Sequence, residues 1–150
     1  MIPNRLPSEV VAIGGVIDPD ANTANTYTSD YLDMADFEAA MAIGLAGDLG
    51  SSATVTYSIV QATSSGGAGV KAISGKTATV FTQSPADSNK QVVINVRGDE
   101  LDVANSFRYV AVRMVVATAT SDTAALICGL WPKHGPADDN DLASVDEIVN

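Results

Sequence analysis

The sequence predicts an all-β protein, a jelly-roll-like β-sandwich with about eight strands. Apolar and polar residues alternate along several short stretches, which is the period of a half-buried strand. Clusters of Gly, Pro, Asn, Asp and Ser separate these stretches at near-regular spacing, as hairpin turns require. Patterns with the period of a helix are nearly absent. Eight strands fit a jelly roll best among the all-β architectures.

Composition and charge restrict the classes of function. The 150 residues are 46% hydrophobic, which is enough for one domain with a core of its own. The formal net charge of −10 disfavours nucleic-acid binding, because phosphate contacts need a Lys/Arg surface. No apolar run approaches the roughly eighteen residues of a membrane span, and the N-terminal stretch lacks the pattern of a signal peptide. We therefore expect neither a nucleic-acid nor a membrane partner.

The clearest strand patterns lie in the second and third quarters of the chain. In "ATVTYSIVQAT", Val55, Tyr57 and Ile59 alternate with hydroxyl residues. Two later stretches, "QVVINVR" and "FRYVAVRMVVAT", alternate in the same way. Their predicted shared faces are Val92, Ile94 and Val96, and then Val110, Val112, Met114 and Val116. The run "TAALICGLW" is almost continuously apolar, as expected of a strand covered on both faces or of a central strand.

The stretch "DYLDMADFEAAMAIGLAG" permits either a helix or a strand. Met34, Phe37, Met41 and Leu45 fall at helical spacing. Alternation from Phe37 to Leu45, ended by glycines, favours the strand. That strand would align Phe37, Ala39, Met41, Ile43 and Leu45 on one face.

Other parts of the chain carry weaker patterns. Residues 10–17, "NTYTS", "GVKAI" and "KTATVFT" are weaker strand candidates, and "DELDVAN" suits a short helical turn. Most of the aromatic residues fall within strand patterns, and we expect these to be in the core.

The two ends of the chain differ from the middle. We expect residues 1–131 to form the sandwich domain, with an extended segment at 1–9, and residues 132–150 to form a C-terminal arm. The arm holds two prolines, five acids and one lysine, so it cannot build a core of its own. It also has an apolar edge that suits a short helix or a strand added to a neighbour. The candidate assembly contacts on this edge are Leu142, Val145, Ile148 and Val149.

No residue pattern indicates an enzyme. His134 is the single histidine and lies between prolines, and Cys128 is the single cysteine, so zinc-site and catalytic-triad patterns are missing. The loop "SSGGAGVK" lacks the spacing of a phosphate-binding loop, because Ala72 follows Lys71. We therefore predict no catalytic and no cofactor-binding residues.

One acidic stretch begins like a calcium-binding loop. Asp18, Asp20 and Asn22 stand at alternate positions, but Thr23 and Ser29 occupy places that an EF-hand gives to Gly and Glu. We interpret the stretch as a turn beside a proline and predict no metal ligands.

The triplet Arg97-Gly98-Asp99 spells a cell-adhesion motif, but three residues are a weak motif. It follows an apolar run and opens the "DELDVAN" turn. We predict a corner at the end of a strand rather than an adhesive loop.

Three stretches resemble a family of small structural proteins from tailed bacteriophages and related gene-transfer particles. They are "QATSSGGAGVKAISGK", "DSNKQVVINVRGDELDVANSFRYVAVRM" and "GPADDNDLASVDEIV", and the similarity spans most of residues 30–148. The resemblance implies a capsid decoration (cement) protein, with a head-spike base as the alternative. It assigns no functional residues.

We accordingly expect a non-enzymatic virion protein on the outer capsid surface, made in the host cytoplasm and needing no cofactor. Its expected partners are the major capsid protein and further copies of itself, as a trimer or dimer, because a chain so poor in charges leaves apolar surface to cover. A tail- or fibre-associated attachment protein, either an adhesin or a carbohydrate-binding module, stays open as a second alternative. Such a module would group aromatic side chains at loop tips.

Overall fold

Two antiparallel sheets make up the structure, a computed structural model that describes residues 4–84 and 86–149. Within that part of the chain there are ten strands, eight of them with four residues or more. The strands are β1 (Val11–Asn22), β2 (Asn25–Thr28), β3 (Leu32–Asp33), β4 (Phe37–Ala46), β5 (Thr54–Ala62), β6 (Lys71–Thr77), β7 (Phe81–Thr82), β8 (Gln91–Arg97), β9 (Tyr109–Ala117) and β10 (Ser121–Pro132). Short 3-10 helices lie at Pro7–Glu9, Gly98–Glu100, Val103–Asn105 and Ala137–Asn140.

Sheet A has the strand order β1-β10-β4-β8, and sheet B has the order β2-β9-β5-β6 with β3 beside β9 and β7 beside β5. All the pairings are antiparallel. The predicted all-β sandwich is therefore confirmed, and the jelly-roll topology stays a prediction. The apolar run in β10 lies between β1 and β4, which is the central position that its sequence predicts.

Sheet B supplies most of the bulk of the core. Its predicted inward faces are confirmed, since Val55, Tyr57 and Ile59 on β5 are buried, as are the four predicted residues on β9. The pattern of β8 is also confirmed, with Ile94 and Val96 buried. Alternation located these strands correctly because each has one face on the core and the other near solvent.

In sheet A, the strand β4 places small side chains in that core. On β4 the inward residues are Ala40, Ala42 and Gly44. A Cβ atom on Gly44 would lie only 2.6 Å from the ring of Tyr57, so the tyrosine occupies the space that a side chain would need. On this stretch of the sandwich, the bulky Tyr57 of sheet B thus fits against the small residues of β4.

The strand prediction for β4 is confirmed, but its predicted shared face is divided: Phe37 and Ala39 are buried, and the three residues further along the strand are turned outward. Met41 and Ile43 are half-buried and Leu45 is exposed, while the alternate alanines and glycine are inside. The physical reason is the bulk of the facing Tyr57, which leaves room only for small residues on this stretch of sheet A.

The structure also decides three predictions about turns and the N-terminal segment. The turn predicted at Asp18–Asn22 is wrong, because β1 continues to Asn22 through an irregularity in its pairing with β10 between Ile17 and Asp20. The predicted turn at "DELDVAN" is formed by two 3-10 helices. Of the expected extended segment 1–9, residues 1–3 lie outside the described part, and Pro7–Glu9 forms a 3-10 turn.

Candidate interaction surface

The first half of the predicted arm lies on the fold of its own chain. The Lys133 N–H donates to the Asp36 carbonyl (2.8 Å), and Ala137 is fully buried. Further on, the Ile13 N–H of β1 donates to Asp141 Oδ1 (2.6 Å), and the Leu142 N–H donates to the Ile13 carbonyl (3.0 Å). The 3-10 helix Ala137–Asn140 and the residues up to Leu142 therefore lie along the outer edge of β1, where the sheet would otherwise end in unpaired backbone groups.

The structure separates the four candidate assembly contacts into two pairs. Leu142 and Val145 are half-buried, and the Val145 N–H donates to the Leu142 carbonyl (2.9 Å). Ile148 and Val149 are 39% and 83% exposed. The sequence predicted one continuous apolar edge, whereas only its last part is free for another molecule. The division of the chain at residue 131 stays a prediction, and an arm that reaches a neighbour would begin after Leu142.

A second apolar surface covers the outside of sheet A. Residues paired across neighbouring strands share a face, and Ile127 with Ala42 marks the inner one. The alternate residues therefore face outward, and we call this the outer face of sheet A. It comprises Val11, Ile13 and Val16 on β1, Ala124, Leu126, Cys128 and Leu130 on β10, Met41, Ile43 and Leu45 on β4, and Val93 on β8.

Most of these side chains are half-buried by their neighbours, but Leu45 is 39% and Val93 54% exposed. On β8 the polar Gln91 and Asn95 flank Val93. In the rows from Leu45 to Ala39 and their partners, the one charged side chain is Arg97 at a corner.

The outside of sheet B has a different chemistry. Its central rows are Thr54, Thr56 and Ser58 on β5, Val115 and Arg113 on β9, and Thr26 and Thr28 on β2. An antiparallel sheet with one solvated face normally looks like this, with hydroxyl and charged residues outward. The two sheets of one molecule thus differ: the outer face of sheet A is mostly apolar, and that of sheet B is mostly polar.

An apolar groove of about 420 Å³ continues the outer face at one end of sheet A. Leu45, Gly47 and Ala124 line one part of it, and Pro19 and Ala21 line another. The extra residues of β1 around Asp18 and Pro19 shape this groove, since they interrupt the regular pairing with β10. The predicted turn residues thus form the rim of a surface depression.

The residues weighed for chemistry do not converge. Within residues 4–84 and 86–149, no three or more His, Cys, Asp or Glu residues lie close enough together to hold a metal ion. Asp20 Oδ1 accepts the Ala21 N–H (2.7 Å), and Asn22 Nδ2 donates to the Thr123 carbonyl (2.9 Å). These side chains serve the backbone of β1 and β10. No helix in the described part is long and apolar enough to span a membrane.

Cys128 is buried beneath the outer face of sheet A. Burial raises the pKa of its thiol, and the charge of Asp141 raises the pKa further. The thiol is therefore held in its unreactive protonated form.

The Arg97-Gly98-Asp99 triplet forms the predicted corner. β8 ends at Arg97, and a 3-10 turn begins at Gly98. Arg97 Nε and Nη2 donate to the two carboxylate oxygens of Asp99 at 3.1 and 2.8 Å. Gly98 does not have positive φ, so glycine is not required at this position.

Ion pairs concentrate where β6 and β8 approach each other. Lys71 pairs with Asp102, Lys76 with Glu100 and Lys90 with Asp87. Hydrogen bonds from these lysines lower the pKa of each of the three carboxyl groups.

Trp131 departs from the prediction that the aromatics belong to the core. It is 56% exposed and has a φ of +54°, a conformation that is rare for a bulky residue. A depression of about 360 Å³ lies beside it, lined also by Glu38, Arg97, Asp99 and Lys133. No sequence pattern signals this placement, because Trp131 looks like the last residue of a buried strand.

Comparison with known proteins adds no assignment: no protein-family model matches the chain, and no curated protein matches it either. The resemblance to phage virion proteins therefore stays a prediction.

Proposed function

We propose that the protein is a non-enzymatic structural protein of a tailed-phage virion, a decoration (cement) protein bound to the major capsid protein on the outer capsid surface. One observation carries this proposal: the C-terminal segment follows the edge of β1 as far as Leu142 and then presents Ile148 and Val149 to solvent. A segment fixed at its base with a free apolar end suits docking on a neighbouring protein.

A decoration protein benefits from this arrangement for a physical reason. The edge-bound part of the arm limits where its free end can go, which lowers the entropy lost on docking. Many copies on one particle convert weak individual contacts into strong retention. The rigid sandwich behind the arm needs no pocket of its own for this role.

The test is binding to particles that were assembled without this protein. We expect the double variant Ile148→Ser/Val149→Ser to lose at least tenfold in affinity with an unchanged thermal melt. The matched control is Val70→Ser/Val103→Ser, which removes two exposed apolar side chains away from the arm. Equal binding by both variants, or no binding by the natural chain, would overturn the proposal.

A second candidate is an attachment protein of the spike base or tail that binds carbohydrate, and Trp131 favours it. An exposed indole beside carboxylate and ammonium groups can stack on a sugar ring while the charged groups bind its hydroxyls. Non-glycine residues held at positive φ cluster at functional sites, where their strain is retained. Quenching of Trp131 fluorescence by oligosaccharides, lost in Glu38→Gln, would support this candidate over decoration.

A further inference from the structure

We propose that the outer face of sheet A is the interface of a symmetric dimer, in which two copies pack this face against each other. The dimer would be the form in which the protein binds the capsid, and only this biological setting rests on the proposed function. Dimerisation is measured on the purified chain alone, so a negative result is distinguishable from a loss of capsid binding.

The first support is the distribution of bulk within sheet A. β4 puts Ala40, Ala42 and Gly44 into its own core and turns Met41, Ile43 and Leu45 outward. A sheet that needed only one covered face would keep its large apolar side chains inside. The apolar run of β10 predicts either a strand covered on both faces or a central strand, and β10 is central and also places Leu126 and Leu130 on the outer face.

The second support is area. Four strands about 4.8 Å apart, with a face that runs roughly 20 Å along them from Leu45 to Ala39, give a projected area on the order of 400 Å². The protruding side chains and the adjoining groove at Leu45 and Ala124 add to this area. Because specific interfaces bury about 600–1,000 Å² on each partner, the face is at the small end of the range for a dimer.

The third support is that the outer face of sheet A is compatible in charge and shape with the same face of a second copy. Its central rows carry no charged side chain, and the charged residues Arg97, Asp20 and Asp122 lie at a corner of the face and in the adjoining groove, so like charges are kept to the margins of the contact. The face is built of branched and linear apolar residues on a pleated surface, and two such surfaces interdigitate about 10 Å apart, as the sheets of a sandwich do. A partner that recognised the face through ion pairs would require charged residues that these rows lack.

A face-to-face contact between identical sheets is isologous and closes at two copies. It therefore selects the dimer from the two oligomers that the sequence suggested. Ile148 and Val149, the exposed end of the arm, do not belong to this face and are left for the capsid contact.

Sedimentation velocity between about 1 and 100 µM, a range that distinguishes stable from weak dimers, tests the proposal. We expect the natural chain to sediment as a dimer and Leu45→Glu/Val93→Glu as a folded monomer, with at least a hundredfold weaker association. The matched control Val103→Glu/Val115→Glu adds the same two charges away from the face and should remain dimeric.

The natural chain needs no substitution to be informative, so the proposal stays falsifiable even if a variant folds poorly. A natural chain that is monomeric at the highest concentration overturns the proposal. So does a Leu45→Glu/Val93→Glu protein that dimerises as strongly as the control.

Discussion

Gly44 and Gly129 make room for two buried aromatic rings, Tyr57 from sheet B and Phe37 from the neighbouring strand of sheet A. A Cβ atom would lie 2.6 Å from the Tyr57 ring at Gly44, and 2.7 Å from the Phe37 ring at Gly129. Neither glycine has positive φ, so space rather than backbone conformation requires them. The two aromatic rings pack directly on the glycine backbone, because no side chain occupies the space beside it.

Replacement of Gly44 by Ala should lower the free energy of unfolding by about 1–3 kcal/mol, because the added methyl group must displace a buried ring. Gly98→Ala is the matched control. The nearest atom to its new Cβ is the Glu38 carbonyl oxygen at 3.9 Å, so we expect a change within about 0.5 kcal/mol. Urea unfolding of both variants checks this, and equal effects would contradict the packing explanation.

Tyr57 should make the fold sensitive to alkali. Burial raises the pKa of its hydroxyl above the ordinary value of 10.0, and the hydroxyl donates to the Leu45 carbonyl at 2.9 Å. Because the folded pKa is the higher one, this contribution to stability is complete below pH 10 and is lost as the pH rises above it. We expect the free energy of unfolding to fall between about pH 9.5 and 11.5.

In Tyr57→Phe the same fall should be smaller, since no hydroxyl remains to ionise. Denaturant unfolding at both pH values provides the measurement. A fall of equal size in the variant would assign the alkaline sensitivity to other groups, such as the lysine ion pairs.

At the scale of elements, the C-terminal segment has two parts with different roles. A chain that ends at Trp131 loses the buried Ala137 and both partners of Ile13. We expect it to melt several degrees lower than the natural chain, because a loss of about 1–2 kcal/mol shifts the midpoint by that amount. A chain that ends at Val145 keeps these contacts and should melt like the natural chain. Calorimetry of both truncations is the test, and identical melts would mean that the edge contacts contribute no stability.

The strand elements show what a sequence pattern can and cannot predict. Alternation located β5, β8 and β9 because hydroxyl or other polar residues mark one side of each. On β4 both sides are apolar, so the pattern predicts the strand but not its inner side. That choice depends on Tyr57 in the other sheet, which no local window includes.

The candidate surfaces were also only partly predictable from the sequence. The sequence predicts the four apolar residues near the C-terminus, but it predicts the same exposure for Leu142 and Val145 as for Ile148 and Val149. Their partial burial depends on a contact with Ile13, more than a hundred residues away. Trp131 could not be found because its exposure results from a local change of backbone conformation.

At the scale of the whole molecule, net charge and the outer face of sheet A oppose each other. In the proposed dimer, two copies that each carry a formal charge of −10 repel at long range, while the proposed contact between their faces is mostly apolar. Added salt screens the repulsion. We therefore expect the dimer dissociation constant to fall several-fold between about 50 and 500 mM NaCl. Sedimentation at both salt concentrations checks this, and a constant that rises with salt would indicate an interface held by ion pairs.

The order of strands in sheet A also has a consequence for biosynthesis. β10 lies between β1 and β4, yet the ribosome makes it after both of them. During translation β1 has no partner in its sheet, since its paired residues on β10 are about a hundred positions further along. Contacts so distant in sequence form slowly, because a long loop must close before they are gained. Sheet A therefore completes itself only after nearly all of the chain has been made. Until then, the apolar strand β1 is the segment most in need of protection by chaperones.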